Sequence, residues 1–188
     1  MEFHINSRDR LLGFVRRMKK GDRRAAGALY DELAPKVHGF IFARTNDKEA
    51  TDDLSQEIFL KLIDKIKTFD KKKGDFTVWF WRLARNTLID HYRKKKEVRF
   101  SGFAEEDLDR LASYEHRHGI DEKLALEKLR GFLKTLAEEE QQVFELRYVA
   151  ELSYAEIAEI SGKSEGALRV AMTRIKNKVK TSFGNNPS

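Results

Sequence analysis

The sequence predicts an all-α protein made of two small helical domains joined by a linker. Apolar residues recur at spacings of three and four through residues 7–97 and again from residue 123, and no strand-like alternation competes with them. Between these parts the acidic residues outnumber the basic ones, and two glycines punctuate the segment, as is typical of a linker. The predicted boundaries are 1–97 for the first domain, 98–122 for the acidic linker and 123–188 for the second domain.

Helices account for almost all of the first domain. Asp22 has the position of an N-cap for the helix that follows it, and that helix is expected to bend or break at Pro35, which lacks a backbone donor. A third helix is predicted over residues 47–67 and a fourth over residues 76–96. The loop 69–75 between them carries three consecutive lysines and a glycine.

Residues 152–180 predict a helix–turn–helix. Ser153 and Glu156 have the spacing of a capping box, Gly162 supplies the positive φ of a sharp turn, and Ser164 caps the second helix. The second helix has an apolar stripe that should be buried: Leu168, Ala171, Met172, Ile175 and Val179. The opposite face carries the residues that should meet a partner: Gly166, Arg169, Val170, Thr173, Arg174 and Asn177.

A short basic face of this kind fits the major groove of DNA. The alternative is a surface helical hairpin whose basic face is merely solvated. The agreement of caps, turn glycine, apolar stripe and basic face favours DNA binding.

Composition agrees with a nucleic-acid partner. The 188-residue chain carries a formal net charge of +6, which attracts phosphate backbones and would also suit an acidic protein or a membrane surface. Because the chain has no cysteine, disulfides and thiolate metal sites are excluded. His116 and His118 alone do not make a metal site, so no metal and no cofactor are predicted. No apolar run reaches the ~18 residues of a membrane span, and the N-terminus lacks a signal-peptide core, so a cytoplasmic protein without membrane insertion is expected.

The predicted third helix has an outer face that mixes carboxylates with apolar groups. That face carries Glu49, Asp53, Gln56, Leu60 and Ile63, with Glu57 beside it. Apolar groups supply affinity and carboxylates select a basic partner, so this face indicates a docking surface. A helix packed on two sides would give the same pattern.

The predicted fourth helix interleaves aromatic and basic side chains. Its outer face carries Trp79, Arg82, Asn86, Ile89 and Arg93, with Arg85 and Lys94 beside it. Such a face suits single-stranded nucleic acid, because cations hold phosphates while rings and flat amides take unstacked bases. The alternative is that the tryptophans are core residues and the lysines a solvated terminus. At least one tryptophan is expected to be structural.

These surfaces together resemble one family. Residues 52–70 are similar to the polymerase-docking helix of the extracytoplasmic-function (ECF) sigma factors, which belong to the sigma-70 family. Residues 74–96 are similar to that family's helix that melts and reads the −10 promoter element, and residues 136–180 resemble its region 4, which is a helix–turn–helix. The resemblance covers residues 10–97 and 123–182, with the segments in the family's order and spacing.

The resemblance implies a role for each matching residue. The surface for the β′ coiled coil of core RNA polymerase would consist of Asp53, Gln56, Glu57 and Leu60. The residues for the opened −10 element would be Lys72, Lys73, Trp79, Arg82, Arg85, Asn86 and Arg93. The residues for the −35 element would be Ser164, Glu165, Arg169, Thr173 and Arg174. The β flap of polymerase and promoter DNA are the other implied partners, and the resemblance admits an anti-sigma factor that the sequence does not identify.

Two other classes of protein remain open at this point. A polymerase-independent helix–turn–helix regulator would explain the C-terminal motif but neither face of the first domain. An enzyme acting on nucleic acid would need a catalytic cluster, for which Asp52, Asp53 and Glu57 are the only dense set of carboxylates. The family needs no catalytic group, so the resemblance implies a protein that is not an enzyme. Its promoter sequence does not follow from these residues.

Overall fold

The computed structural model describes residues 7–45, 47–100, 128, 131–133 and 135–183, with residues 7 and 95–100 described by their backbone alone. Within these ranges every regular element is helical, which confirms the all-α class. The longer helices are α1 (Ser7–Lys19), α2 (Arg23–Thr45), α3 (Lys48–Lys65), α4 (Phe76–Phe100), α5 (Glu138–Tyr148), α6 (Tyr154–Ser161) and α7 (Glu165–Phe183). Two 3-10 turns, Ile66–Thr68 and Lys71–Lys73, lie between α3 and α4.

The chain divides into two compact units between Asp109 and Arg110. That point falls in the predicted linker, most of which lies outside the described residues, as do His116 and His118. In the part of the chain that the structure describes, no helix has both the length and the apolarity to cross a membrane.

The first unit packs α2 against α1 and α3, and α3 against α4. Its core is built on aromatic side chains: Phe40 and Trp81 meet edge to face with ring centroids 5.4 Å apart, and Phe80 lies 5.6 Å from Trp81. All three are at most 1% exposed. Trp81 is therefore the structural tryptophan that the sequence led us to expect.

Helix α2 corrects one expectation, because it continues through Pro35 without a break. Proline removes one backbone hydrogen bond from a helix interior. On both sides of Pro35, however, α2 is buried: Leu33 before it is 3% exposed, and Val37 after it is fully buried. Tertiary packing supplies most of the stability of a helix in a protein, so it holds both halves of α2 in one element.

The ends of α3 and α4 also differ from the predicted ones. Asp47 is the N-cap of α3, accepting a hydrogen bond from Ala50 N at 3.0 Å, rather than its first residue. Residues 66–68 leave the α-helix as a 3-10 turn. Helix α4 continues to Phe100, so its last three residues occupy the start of the predicted linker.

The second unit packs α7 against both α5 and α6. The predicted capping box is confirmed, since Ser153 N donates to Glu156 Oε2 at 2.8 Å and Ser153 Oγ accepts from Glu156 N at 3.3 Å. Gly162 ends α6 in the left-handed conformation, with φ +74°. The predicted stripe of α7 faces inward: Leu168, Met172 and Ile175 are at most 1% exposed, and Ala171 and Val179 are half-buried.

Candidate polymerase and nucleic-acid interfaces

The outer face of α3 is open to solvent. Asp53 and Gln56 are exposed, and the apolar side chains Leu60 and Ile63 are 56% and 55% exposed. Glu57 is half-buried and pairs with Lys61 across one helical turn at 2.7 Å. Because the described residues leave Leu60 and Ile63 uncovered, α3 is not packed on two sides among them.

This face forms one wall of a groove of about 550 Å³ between α2 and α3. Tyr30 of α2 packs on Phe59 with ring centroids 4.6 Å apart and remains 47% exposed. His38 of α2 lies opposite Asp52, with Nδ1 3.7 Å from Oδ1. Sequence reasoning missed the contribution of α2, because a helical period does not reveal which neighbouring helix lines a groove.

The basic face of α4 is also open to solvent, in part. Arg82, Asn86 and Arg93 are exposed, whereas Trp79 and Arg85 are half-buried. Trp79 rests on aromatic rings, 5.6 Å from Phe69 and 5.9 Å from Phe76 between centroids. An aromatic ring that packs on other rings and is still partly exposed can accept a stacked base.

A second groove, of about 220 Å³, runs between α3 and α4. From α4 it is lined by Trp79, Arg82 and Asn86, and from α3 by Lys61 and Lys65. The two lysines are one helical turn apart on the groove's other wall. Lys61 pairs with Glu57, and Asp90 of α4 also lines the groove, so the charge of the groove is mixed. Sequence reasoning did not single out the two lysines, although their spacing of four residues places them on one side of α3.

The loop before α4 presents Lys72 and Lys73 to solvent. The two lysines belong to a 3-10 turn whose cap is Asp70, which accepts a hydrogen bond from Lys72 N at 2.9 Å. Lys19 of α1 donates to Phe69 O at 2.6 Å and ties the start of the loop to the unit. The loop thus places a basic edge next to the start of α4.

The outer face of α7 is exposed at all five predicted DNA-binding positions: Ser164, Glu165, Arg169, Thr173 and Arg174. Ser164 Oγ accepts from Ala167 N at 3.2 Å, as an N-cap does. The guanidinium of Arg169 stacks over the ring of Tyr154 at 4.6 Å and lies 3.3 Å from the Glu165 carboxylate. Tyr154 belongs to α6, so the stacking contact depends on how α6 and α7 pack.

Two ion pairs connect α5 to the α6–α7 motif. Lys163 in the turn pairs with Glu139, and Lys178 of α7 donates to Glu140 Oε2 at 2.6 Å. The hydrogen bond from Lys178 lowers the pKa of Glu140 from its usual value, against the opposing effect of burial. The Lys178 pair thus links α7 to α5, and the exposed Lys163 pair links the turn to α5.

The exposed faces of α3 and α4 and the exposed face of α7 fall in segments that known families share. Sigma-70 region 2 matches residues 29–98, and sigma-70 region 4 matches residues 126–179. The ECF RNA polymerase sigma factor SigM of Bacillus subtilis is 30% identical over 156 residues, which are 82% of this chain and 93% of SigM. The chain belongs to the ECF group of the sigma-70 family.

Other similarities agree with this family. The ECF RNA polymerase sigma factor BldN of Streptomyces coelicolor is 33% identical to this sigma factor over 168 residues, 88% of the chain and 62% of BldN's own length. The solved structure of CnrH, at 19% identity, covers 95% of this chain and 99% of CnrH with a TM-score of 0.69. RpoE of Bartonella quintana, at 21% identity, covers 85% and 99% with a TM-score of 0.66. The two structures share the fold.

The family match favours an RNA polymerase sigma factor over a polymerase-independent regulator. Members of this family are transcription initiation factors without enzymatic activity. Of the three carboxylates that a nuclease would need, Asp52 and Asp53 line the groove with Tyr30, and Glu57 pairs with Lys61. Among the described residues, no group of three or more histidine, aspartate or glutamate side chains is placed to hold a metal ion.

Proposed function

We propose that this sigma factor binds core RNA polymerase through the exposed face of α3, and that it reads promoters with α4 and α7. The observation that carries the proposal is the separation of two unlike faces on one small unit. An acidic and apolar face on α3 faces one groove, and an aromatic and basic face on α4 faces another. A duplex-binding protein without polymerase has no use for the first face.

The domains follow from this division. Residues 1–97 form region 2, which docks on polymerase and handles the −10 element. Residues 98–122 are the acidic linker, and residues 123–188 form region 4, which reads the −35 element. The matches to region 2 and region 4 support these assignments.

Docking on polymerase uses Asp53, Gln56, Glu57 and Leu60. Carboxylates beside an exposed leucine match a partner that is basic and partly apolar, and the inferred partner is the β′ coiled coil. Burial of Leu60 supplies affinity, whereas the charges set the approach and the register. Region 4 contacts the β flap in the same assembly.

The −10 element is held as an opened strand. Arg82, Arg85 and Arg93 hold phosphates, Lys72 and Lys73 add charge at the loop, and Trp79 and Asn86 take a base. Removing a base from the stack costs a few kcal/mol, which stacking and hydrogen bonds in the groove offset. Lys65 places a further cation on the opposite wall of this groove, whereas Lys61 beside it pairs with Glu57.

The −35 element is read as duplex by the exposed residues of α7. Arg169 and Arg174 supply cations, Thr173 and Glu165 polar groups, and Ser164 the start of the helix. Each reader alone needs only modest affinity, because polymerase holds both on one promoter and their contributions multiply.

Two further points belong to the same proposal. In solved structures, CnrH is bound to the cytosolic domain of CnrY, and RpoE to the anti-sigma factor NepR. The fold shared with these proteins supports an anti-sigma factor as a partner here, covering the groove between α2 and α3 before polymerase does. The protein acts in the cytoplasm, where core polymerase and DNA are found.

A pair of double variants tests the division of labour. Asp53→Ala with Gln56→Ala should weaken binding of fluorescently labelled core polymerase by roughly tenfold and leave the holoenzyme's promoter preference unchanged. Arg169→Ala with Arg174→Ala should keep polymerase affinity but lower run-off transcription from a promoter selected by the wild-type holoenzyme. Asp9→Ala, which removes an exposed carboxylate of α1, is the charge-matched control. Equal loss of polymerase affinity in both double variants would contradict the proposal.

A further inference from the structure

We propose that Val170 reads the methyl group of a thymine in the −35 element. The proposal rests on the function proposed above for α7. Val170 is 53% exposed. The other large apolar side chains within five residues of it in α7 are at most 1% exposed: Leu168, Met172 and Ile175. Val170 lies on the same face as Thr173 and Arg174, which follow it by three and four residues.

The neighbours of Val170 leave it uncovered. The guanidinium of Arg169 is drawn toward α6, where it stacks 4.6 Å above the ring of Tyr154 and lies 3.3 Å from Glu165. The hydroxyl of Thr173 donates to Arg169 O at 3.0 Å, so in this arrangement its oxygen faces a base as an acceptor. Val170 thus presents its two methyl groups beside a hydroxyl oxygen that accepts.

The chemistry of the major groove selects one partner for such a surface. Base edges there present hydrogen-bond donors and acceptors, and the C5-methyl of thymine is the apolar group among them. A valine cannot satisfy a donor or an acceptor, so contact with any other edge would remove water from polar atoms without replacing its hydrogen bonds. A single exposed apolar residue needs no explanation on an ordinary surface. On the face that enters the groove, however, Val170 must meet a base edge or the adjacent backbone.

The experiment removes the thymine methyl from the DNA and, separately, the Val170 side chain that should contact it from the protein. The full-length protein, assembled with core polymerase, first selects its preferred −35 element from a promoter library. Each thymine of that element, on either strand, is then replaced singly by deoxyuridine, which lacks only the C5-methyl. At one position, the loss of about one buried methyl should weaken wild-type promoter binding roughly fourfold, or about 0.8 kcal/mol.

Val170→Ala completes the cycle. This variant should lose the preference for thymine over uracil at that one position and bind both promoters about as the wild type binds the uracil promoter. Alanine is a better helix former than valine, so α7 should stay folded, which circular dichroism checks. Arg174→Ala is the control: it should weaken binding to every promoter while it keeps the roughly fourfold ratio.

Three results would overturn the assignment of Val170. These are a selected −35 element without thymine on either strand, uracil promoters that all bind like their parent, and a thymine preference that persists in Val170→Ala. The underlying function fails in a different way. If the wild-type holoenzyme shows no preference among −35 sequences at all, α7 is not a −35 reader, and both proposals fall.

Discussion

Leu60→Ala should separate polymerase binding from folding more cleanly than any charge substitution. Complete burial of a leucine side chain contributes about 1.5–3 kcal/mol. Leu60 is 56% exposed in the free protein, so a partner can still bury about half of it. Truncation should therefore cost about 1 kcal/mol of binding, or roughly fivefold in the dissociation constant.

The matched variant is Leu62→Ala, two residues away on the same helix. Leu62 is only 3% exposed, so its truncation leaves a cavity in the first unit and should lower the free energy of unfolding by about 2–5 kcal/mol. Leu60→Ala should leave the free energy of unfolding within about 0.5 kcal/mol of the wild type, since surface substitutions rarely do more.

Two assays measure these effects. Titration of labelled core polymerase with each variant gives the binding constants, and urea unfolding of the free protein gives the stabilities. The reasoning fails if Leu60→Ala binds core polymerase within twofold of the wild type, because the exposed leucine would then lie outside the interface. It also fails if Leu60→Ala is destabilised as much as Leu62→Ala.

Two further predictions concern the second unit. Ser153→Ala removes the N-cap of α6, with its hydrogen bonds to the nearly buried Glu156, and should lower the stability of that unit by about 1–2 kcal/mol in urea unfolding. Ser153→Thr should restore most of it, and an equal loss in both variants would exclude capping as the cause. Glu140→Gln should lose the stability that comes from the depressed pKa of Glu140. That contribution is present above the unfolded-state pKa and lost as pH falls through the folded-state one. The variant should therefore be less stable than the wild type by at most about 1 kcal/mol at pH 7, and this difference should disappear as pH falls below the folded-state pKa. A stability difference that does not change as the pH is lowered would contradict the assignment.

Much of the fold could be predicted because its signals are local. The capping box at Ser153, the left-handed turn at Gly162 and the buried stripe of α7 each depend on residues within one or two turns of each other. The exposure of Leu60 and Ile63 could not be predicted in this way, because a helix packed on two sides has the same period, and it is the structure that shows this side of α3 open. Where local and tertiary effects compete, as at Pro35, the break that the sequence allowed does not occur, because buried residues on both sides outweigh one missing hydrogen bond.

The chain's periodicity and caps alone determined that it is helical, where its recognition helix lies and which residues share a face of α3, α4 and α7. Only the tertiary structure decided which of those faces stay open to solvent and what stands opposite them. It brought Tyr30 to the groove beside Asp53, added Lys61 and Lys65 to the wall facing Trp79, and placed Arg169 over Tyr154. The physical reason is that a helix's own sequence sets the direction of its side chains, whereas their partners come from packing between segments distant in the chain.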